Sequence, residues 1–285
     1  MRIDAHQHYW TMKRNDYGWI TPELPVLYRD YLPEHFAQHL QNHGLDGSIV
    51  VQAAPTIEET DYLLQLAEGD DTVLGVVGWL DLFDPNHRLH YERFRRHPKF
   101  VGFRIMIQDM PDTARLMDPT FVEALRQYEA EDVPVDLLVV SRQLSDVVEL
   151  LKLTPRLRAV IDHIAKPRMK EAEREPWLTH MTALSRMPNV YCKLSGMVTE
   201  ADHSRWRKED ILPYIGQVLE LFGSERVMFG SDWPVCLLAA EYDEVMDVLL
   251  SGLPDYWGEE ERARLFGLNA QQFYKLEQGR CNNGR

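Results

Sequence analysis

Three features of this sequence predict an α/β fold, a single (β/α)8 TIM barrel. Eight short apolar runs, typical of strands buried in a parallel sheet, alternate with segments of helical spacing. Strands that alternate with helices pair in parallel through right-handed crossovers. The length of 285 residues fits a barrel of roughly 250 residues. An open doubly wound sheet is the rival architecture, but no glycine-rich phosphate loop follows any strand.

The predicted strands recur from the N-terminus to residue 231. Most are short runs rich in valine, isoleucine or leucine, bounded by polar or helix-like sequence, which is the pattern of a buried strand. They span Ile3–His8, Gly47–Gln52, Val73–Leu80, Val101–Met106, Val133–Val140, Ala159–Ile164, Val190–Leu194 and Val227–Ser231.

The segments between these strands place apolar residues three and four positions apart. This spacing gives a helix one buried face and is therefore typical of helices packed on a sheet. The predicted helices span Pro33–His43, Glu58–Glu68, Pro119–Glu131, Leu144–Leu153, Trp177–Met187, Lys208–Phe222 and Tyr242–Leu250.

The predicted barrel forms one domain over residues 1–276, and a polar tail over 277–285 is expected to fray. The irregular segment 9–32 follows the first strand directly, so we expect it to cover the barrel mouth. A second irregular segment, 196–207, follows the seventh strand and belongs at the same end. Aromatic residues of the first segment are expected to line the pocket or to pack the segment onto the barrel: Trp10, Tyr17 and Trp19.

Composition and charge exclude several classes of partner. With 31 basic and 45 acidic residues the formal net charge is −14, which argues against nucleic acid and anionic membranes. The sequence shows neither a secretory signal pattern nor an apolar run of about 18 residues, so we expect a cytoplasmic protein. Three scattered cysteines are predicted to be free thiols rather than disulfide or zinc ligands: Cys192, Cys236 and Cys281.

The tripeptide His6-Gln7-His8 ends the first predicted strand. Because strand side chains alternate between faces, His6 and His8 project to the same side, with Asp4 behind them. Two imidazoles held in this way are able to bind one metal ion or one anion. A chance pair of surface histidines is the alternative, and residues further along the chain favour ligation.

Catalytic groups of a (β/α)8 barrel lie at the carboxyl ends of its strands. Polar or titratable residues at so many predicted strand ends therefore indicate a buried site. In strand order the candidates are His6, His8, Gln52, Trp79, Asp81, Arg104, His163, Lys193 and Asp232.

Asp232 and His163 are the most informative of the later candidates. An aspartate at the end of the eighth strand ligates a metal or takes a proton from water, unless it merely caps a turn. His163 ends the sixth strand and adds a third imidazole, unless it is a core histidine. Its neighbour Asp162 is expected to point to the opposite side.

Four segments of the sequence carry the most specific signal: Ile3-Asp-Ala-His-Gln-His-Tyr-Trp10, Asp162-His-Ile-Ala-Lys-Pro167, Lys193-Leu-Ser-Gly196 and Phe229-Gly-Ser-Asp-Trp-Pro-Val235. Together they resemble the amidohydrolase superfamily, specifically its amidohydrolase-2 branch, which contains sugar lactonases and 2-pyrone-4,6-dicarboxylate lactonase. Within that branch the chain is most similar to L-fuconolactone and L-rhamnonolactone hydrolases. The resemblance spans all eight predicted strands.

This resemblance implies a hydrolase that opens an aldonolactone, such as L-fucono- or L-rhamnonolactone, to the sugar acid. Asp232 would activate the attacking water as general base, while His163 and Arg104 would act on the substrate oxygens. A decarboxylase or a dicarboxylate-lactone hydrolase of the same superfamily is the alternative. A non-catalytic carbohydrate-binding barrel is a third hypothesis, which the set of acid, base and imidazole groups disfavours.

The metal content expected from the resemblance is one divalent ion, with zinc the first choice. The fourth strand lacks a bridging lysine or glutamate and the fifth ends without a histidine, so two metals are not expected. His6, His8 and Asp232, aided by His163, would suffice because a catalytic zinc needs about three protein ligands. A metal-free mechanism is equally coherent, with the histidines and Arg104 stabilising the oxyanion.

Substrate-binding roles are predicted for further residues near the strand ends. Indole rings stack on the C–H faces of sugars, and a lysine is a good partner for an oxyanion. Core packing, or a salt bridge in the case of the lysine, is the alternative for each. These residues are Gln52, Trp79, Lys193, Trp233 and Trp10.

Overall fold

The structure, a computed structural model, describes residues 1–276 of the chain. The predicted tail and Cys281 lie outside the described residues. Eight parallel strands form one sheet in which spatial order follows sequence order. They are β1 (Ile3–Gln7), β2 (Gly47–Val51), β3 (Val73–Trp79), β4 (Phe100–Met106), β5 (Val135–Leu138), β6 (Ala159–Ile161), β7 (Val190–Leu194) and β8 (Val227–Phe229).

The chain after β8 returns to β1 and closes the barrel. Trp233 forms a parallel bridge with Gln7. The backbone amide of Asp232 donates to His6 O at 2.8 Å, and that of His8 donates to Trp233 O at the same distance. The predicted (β/α)8 barrel is therefore confirmed, and the open doubly wound sheet is wrong.

Helices connect successive strands, as the apolar spacing predicts. One helix of the barrel, α3, was not predicted because its buried face consists of His87, Tyr91 and Phe94, of which only one is plainly apolar. The helices are α1 (Pro33–His43), α2 (Ile57–Glu68), α3 (His87–Phe94), α4 (Pro119–Ala130), α5 (Leu144–Leu153), α6 (Trp177–Ser185), α7 (Lys208–Phe222), α8 (Tyr242–Ser251), α9 (Glu259–Ala263) and α10 (Asn269–Phe273).

The core has two parts. A large cluster lies between the sheet and the helices, and a smaller one joins residues of strands on opposite sides of the barrel to α10 and the residue after it. Strands that far apart in the sheet meet only across the barrel interior, so the smaller cluster fills that interior. Its members include Val51, Val77, Val160, Met228 and Tyr274.

Cys192 and Cys236 are buried free thiols, as the sequence predicts. Within residues 1–276, no helix combines the length and the apolar character that a membrane span requires.

Candidate active site

A cavity of about 480 Å³ opens at the carboxyl ends of the strands. Its inner wall consists of residues from the ends of β1, β4, β6 and β8, and its outer wall includes residues of the segment 9–32. This is the end of a (β/α)8 barrel at which catalytic groups lie. The lining residues most relevant to chemistry are His8, Arg104, His163, Asp232, Asp16 and Trp19.

Three imidazole nitrogens converge on one carboxylate at the base of this cavity. Asp232 Oδ1 lies 3.2 Å from His8 Nε2, 3.8 Å from His6 Nε2 and 3.9 Å from His163 Nε2. Ligands of a tetrahedral zinc ion, with bonds of about 2.0–2.1 Å, stand roughly 3.3 Å apart. These atoms are therefore already spaced as the ligands of one ion would be.

The hydrogen bonds of the other ring nitrogens orient two of these histidines. His8 Nδ1 lies 2.7 Å from the backbone oxygen of Val51 and therefore donates to it, which turns Nε2 toward Asp232 Oδ1, 3.2 Å away. His163 Nδ1 lies 2.9 Å from Ser195 Oγ. Partners of this kind fix the orientation and tautomer of a metal-ligating histidine.

His6 gives the clearest test of whether the residues fit a metal ion. Its Nδ1 lies 3.3 Å from Asp162 Oδ1, while its buried Nε2 has no hydrogen-bond partner within residues 1–276. A buried ring nitrogen without a partner is costly. A divalent ion among His6, His8 and Asp232, whose ligand atoms all lie within 4.8 Å of one another, would satisfy that nitrogen.

The protonation states of these groups also suit a cation site. Burial lowers the pKa of His6 and of His163 well below its usual value, so both imidazoles are neutral at pH 7. Burial works against ionisation of Asp232, but His163 and His8 outweigh it and lower the pKa of that carboxyl. Two neutral imidazoles and a carboxylate are ligands that zinc accepts.

A buried ionic network lies beneath the histidines. The ammonium of Lys193 contacts Asp136 Oδ2 at 2.5 Å and Asp162 Oδ1 at 3.2 Å, and the hydroxyl of Tyr274 donates to Asp136. Burial disfavours the Asp162 carboxylate, but Lys193 and His6 hold its pKa well below the usual range. Burial outweighs Lys193 at Asp136, whose pKa rises to about 6.

The expectation that Asp162 points away from the site is wrong. Its carboxylate faces the barrel interior, where it contacts His6, Lys193 and, at 3.4 Å, Arg104 Nη1. The strict alternation of strand side chains does not reach Asp162 because β6 ends at Ile161.

The backbone after β6 is left-handed over four successive residues. The φ angles are 53° at His163, 47° at Ile164, 61° at Ala165 and 45° at Lys166. Non-glycine residues pay about 1–2 kcal/mol each for this conformation, and a β-branched residue such as Ile164 rarely adopts it. Backbone strain of this kind clusters at functional sites.

Tertiary contacts hold this left-handed segment, residues 163–166, in place. Trp177 Nε1 donates to Ile164 O at 2.7 Å, and the backbone amide of Lys166 donates to His163 O at 2.8 Å. Ile164 and Ala165 are fully buried. The strain is therefore offset by burial and by hydrogen bonds rather than relieved.

Asp232 and Gly196 complete the packing around His163. Asp232 is itself left-handed, with a φ of 59°. At Gly196, which has a φ of 57°, a Cβ atom would stand 2.6 Å from His163 Nδ1 and 3.1 Å from Asp232 Oδ2. Only glycine fits this position, for both conformational and steric reasons.

The structure brings together one set of the predicted site residues and separates another. His6, His8, Arg104, His163 and Asp232 meet at the base of the cavity. The five predicted substrate-binding residues do not line it. These are Gln52, Trp79, Lys193, Trp233 and Trp10.

Each of these five has another environment. Lys193 is fully buried in the network beneath the histidines, and the Gln52 side chain is fully buried. Trp10 donates from Nε1 to the backbone of Leu27 and Arg29. Trp233 packs against aromatic rings of the outer layer, and Trp79 lines a smaller adjoining cavity of about 240 Å³, together with the candidate Asp81.

Of the three aromatic residues named in the segment 9–32, Trp19 reaches the cavity, unlike Tyr17 and Trp10, and its Nε1 donates to Ala53 O at 2.9 Å. Several other lining residues were not predicted. Lys166 also lines the cavity. Its position three residues after His163 is the sequence feature from which this could have been predicted. Gln108 and Asp109 lie in a 3-10 turn, Ile107–Asp109, directly after β4, and Asp16 comes from the segment 9–32.

Comparison with known proteins places this geometry in a family. The Amidohydrolase family profile matches residues 3–276. The chain is 39% identical to an L-fucono-1,5-lactonase of Burkholderia ambifaria, over 97% of this chain and 96% of that protein. It is also 39% identical to an L-fucono-1,5-lactonase of Burkholderia multivorans, with the same coverage.

A solved structure agrees with these sequence relatives. The crystal structure of an amidohydrolase from Burkholderia multivorans with bound zinc is 38% identical to this chain and superposes with a TM-score of 0.92. The similarity covers 97% of this chain and 99% of that one. The resemblance noted in the sequence is confirmed: the chain belongs to the amidohydrolase family.

Proposed function

We propose that this protein is a lactonase that hydrolyses an aldonolactone of the L-fucono-1,5-lactone type to the sugar acid. The observation that carries the proposal is the convergence of three imidazoles on Asp232 at the base of a cavity. Its support is the 39% identity over 97% of the chain to two L-fucono-1,5-lactonases. The substrate of this reaction is a small molecule, and we place the protein in the cytoplasm. The net charge of −14 argues against nucleic acid or a membrane as its partner.

Asp232 acts as the general base in this proposal. The carboxylate is ionised at neutral pH because its pKa is lowered, and it faces the cavity at the end of β8. From there it accepts the proton of a water molecule that attacks the ester carbonyl carbon. The ring C–O bond then breaks, and the ring oxygen takes up a proton to become the hydroxyl of the sugar acid.

One divalent ion, zinc as first choice, fits the site. His6, His8 and Asp232 would hold it, and His163, whose Nε2 lies 3.9 Å from Asp232 Oδ1, would stand beside it. When bound, such an ion supplies Lewis-acid polarisation of the ester carbonyl. The donor set and the unpartnered His6 Nε2 support a metal-dependent rather than a metal-free enzyme.

Arg104 contributes to substrate binding from the inner wall. Its Nη1 contacts Asp162 at 3.4 Å and its Nη2 donates to Gln52 O, so the guanidinium is held in one orientation. Its Nε has no hydrogen-bond partner among residues 1–276. Arg104 lines the cavity and is therefore placed to donate to a hydroxyl or an ester oxygen of the substrate.

The proposal is tested by measuring acid release from a panel of 1,4- and 1,5-aldonolactones with a pH indicator. Ring opening releases one proton at neutral pH, so turnover of one stereochemical subset would establish the activity and identify the sugar. Failure across the whole panel, together with turnover of a dicarboxylate lactone or CO2 release from an aromatic acid, would contradict it in favour of the alternative reactions.

Replacement of Asp232 by Asn is expected to lower kcat by about 10²–10⁴-fold, the usual contribution of a general base. Asp255→Asn, at an exposed position, is the matched control and should leave kcat unchanged. Zinc content and circular dichroism of both variants are measured alongside the rates. Asp232→Asn with the rate of the unaltered enzyme would contradict the assigned role.

A further inference from the structure

The geometry points to Lys166 as a catalytic residue, whose ammonium contacts the ester oxygens of the substrate and stabilises the negative charge that grows there. This inference rests on the proposed lactonase function and deepens it. It assigns a reaction step to a residue that the strand-end pattern does not identify, since Lys166 lies in a turn beyond β6.

The placement of Lys166 follows from the left-handed segment. In a turn of about three residues, side chains three positions apart share a face, and here those side chains are His163 and Lys166. Both line the cavity.

The ammonium of Lys166 is more available than the other cation of the cavity wall. Arg104 is bound by the Asp162 carboxylate and by the Gln52 backbone. Within residues 1–276 the nearest carboxylate to Lys166 Nζ is Glu200 Oε1, at 3.9 Å, which is too long for a hydrogen bond. A flexible lysine with no hydrogen bond of its own is able to donate to a ligand.

The chemistry of lactone opening gives this ammonium a task. Attack of water on the carbonyl carbon moves negative charge onto the carbonyl oxygen, and cleavage of the ring then moves charge onto the ring oxygen. A cation held in place beside these oxygens stabilises such charge more in the transition state than in the bound ester. Loss of the cation should therefore lower kcat rather than raise KM.

The first experiment compares Lys166→Met with the unaltered enzyme, on the lactone that the panel identifies. Methionine keeps much of the length and apolar stem of lysine but carries no charge. We expect kcat to fall by about 10²-fold or more, as for loss of an oxyanion donor, with a much smaller change in KM. Zinc content and thermal stability are measured in parallel and should be unchanged. Lys170→Met, at an exposed lysine of the next turn, is the matched control and should keep full activity.

A second variant separates loss of the ammonium from distortion of the strained turn. Lys166→Cys is expected to be as inactive as Lys166→Met. Alkylation of that cysteine with 2-bromoethylamine restores an ammonium at nearly the same reach and should recover most of kcat, whereas alkylation with iodoacetamide should not. The unaltered enzyme treated in the same way controls for reaction at Cys192, Cys236 and Cys281.

The outcomes distinguish this inference from the function on which it rests. If the unaltered enzyme hydrolyses a lactone and Lys166→Met retains its kcat, the role of Lys166 is overturned while the lactonase function stands. Equal recovery with both alkylating reagents would also overturn it, because the charge would then be irrelevant. Failure of the unaltered enzyme to hydrolyse any lactone would overturn both proposals.

Discussion

The ends of β1 and β6 deliver imidazoles to the same carboxylate by opposite means. At β1, His6 and His8 reach Asp232 from an extended strand and the residue that follows it, and a buried ionic network supports His6 from below. At β6 the strand stops at Ile161, and His163 reaches Asp232 only because the next residues are left-handed. The β1 end combines an extended strand, whose register with β2 shifts between Asp4 and Gln7, with buried charges. The β6 end combines a left-handed backbone with close packing.

Because of this difference, the two sides of the site should be sensitive to different kinds of substitution. The β1 side depends on a balance of buried charges, so a neutralising substitution should destabilise it strongly. The β6 side depends on close contacts around a strained turn, so added volume should displace His163 without unfolding the barrel. Substitutions that act on one side at a time separate the two.

The largest effect is expected from Lys193→Met, which acts on the β1 side. It removes the ammonium that the buried carboxylates of Asp136 and Asp162 share, although Asp162 keeps Arg104 at 3.4 Å, so the free energy of unfolding should fall by about 3–5 kcal/mol. Zinc binding and activity should fall with it because Asp162 no longer holds His6 in one orientation. Urea denaturation and metal analysis measure the two effects.

The control for this variant is Lys152→Met, which removes an exposed lysine whose one ion pair among residues 1–276 is with Glu149. Exposed pairs contribute little, so this variant should behave as the unaltered protein. Retention of full stability by Lys193→Met would show that the network beneath the histidines does not support the β1 side.

An intermediate effect is expected from Gly196→Ala, which acts on the β6 side. The added Cβ would stand 2.6 Å from His163 Nδ1, and the positive φ costs about 1–2 kcal/mol. Displacement of His163 by a fraction of an ångström should lower kcat by about 10²-fold. Steady-state kinetics and thermal denaturation test whether activity falls much more than stability.

Gly216→Ala is the matched control, since it lies in α7 and a Cβ there would meet no atom of residues 1–276 within 4 Å beyond the backbone of its own helix. Alanine favours the helix at such a site by roughly 1 kcal/mol, so stability should rise slightly and activity should not change. An active Gly196→Ala enzyme would mean that the β6 side tolerates volume, contrary to the comparison.

The smallest effect on activity is expected at a third strand end, that of β2. Glu59 of α2 accepts the backbone amides of Ala53 and Ala54, at 2.8 and 2.6 Å, and so shapes the wall of the cavity. Burial outweighs these hydrogen bonds and raises the pKa of Glu59 from 4.5 to about 8. Between those values the folded chain keeps a proton that the unfolded chain has lost.

The contribution of Glu59 to stability is therefore full below about pH 4.5 and is lost as the pH rises through about 8. Glu59→Gln keeps an acceptor for both amides and cannot ionise. As the pH rises across this range, the free energy of unfolding of the unaltered protein should therefore fall relative to that of Glu59→Gln. Urea denaturation at several pH values measures the difference, and Glu58→Gln, at an exposed position, should show none. A constant difference between Glu59→Gln and the unaltered protein would contradict the raised pKa.

The same contrast explains how much of the molecule could be predicted from its sequence. Alternating strands and helices identified the barrel, and period-two alternation placed His6 and His8 together. Alternation failed at Asp162 because it was extended beyond the last residue of β6. The residue types of the segment 163–166 do not predict a left-handed turn, because isoleucine rarely adopts that conformation. The turn is imposed by tertiary contacts such as that of Trp177 with Ile164.

The sequence also did not predict how deep within the barrel a side chain lies. Lys193 lies next to the end of β7, and a strand-end rule places it in the pocket. Its ammonium instead reaches Asp136 beneath the histidines. Trp10 was likewise close to the site in sequence, yet its ring packs inside the segment 9–32, where it donates to Leu27 O and contacts the ring of Tyr31.

The contact between β1 and the end of β8 determines when the site forms during synthesis of the chain. His8 and Asp232 are 224 positions apart in the chain, and the backbone bonds that join the two strands flank those same residues. A ribosome must therefore synthesise nearly the whole barrel before the site exists, and contacts of such sequence separation are slow to form. Closure of the barrel and the onset of catalysis are one event, so no partly made chain hydrolyses its substrate.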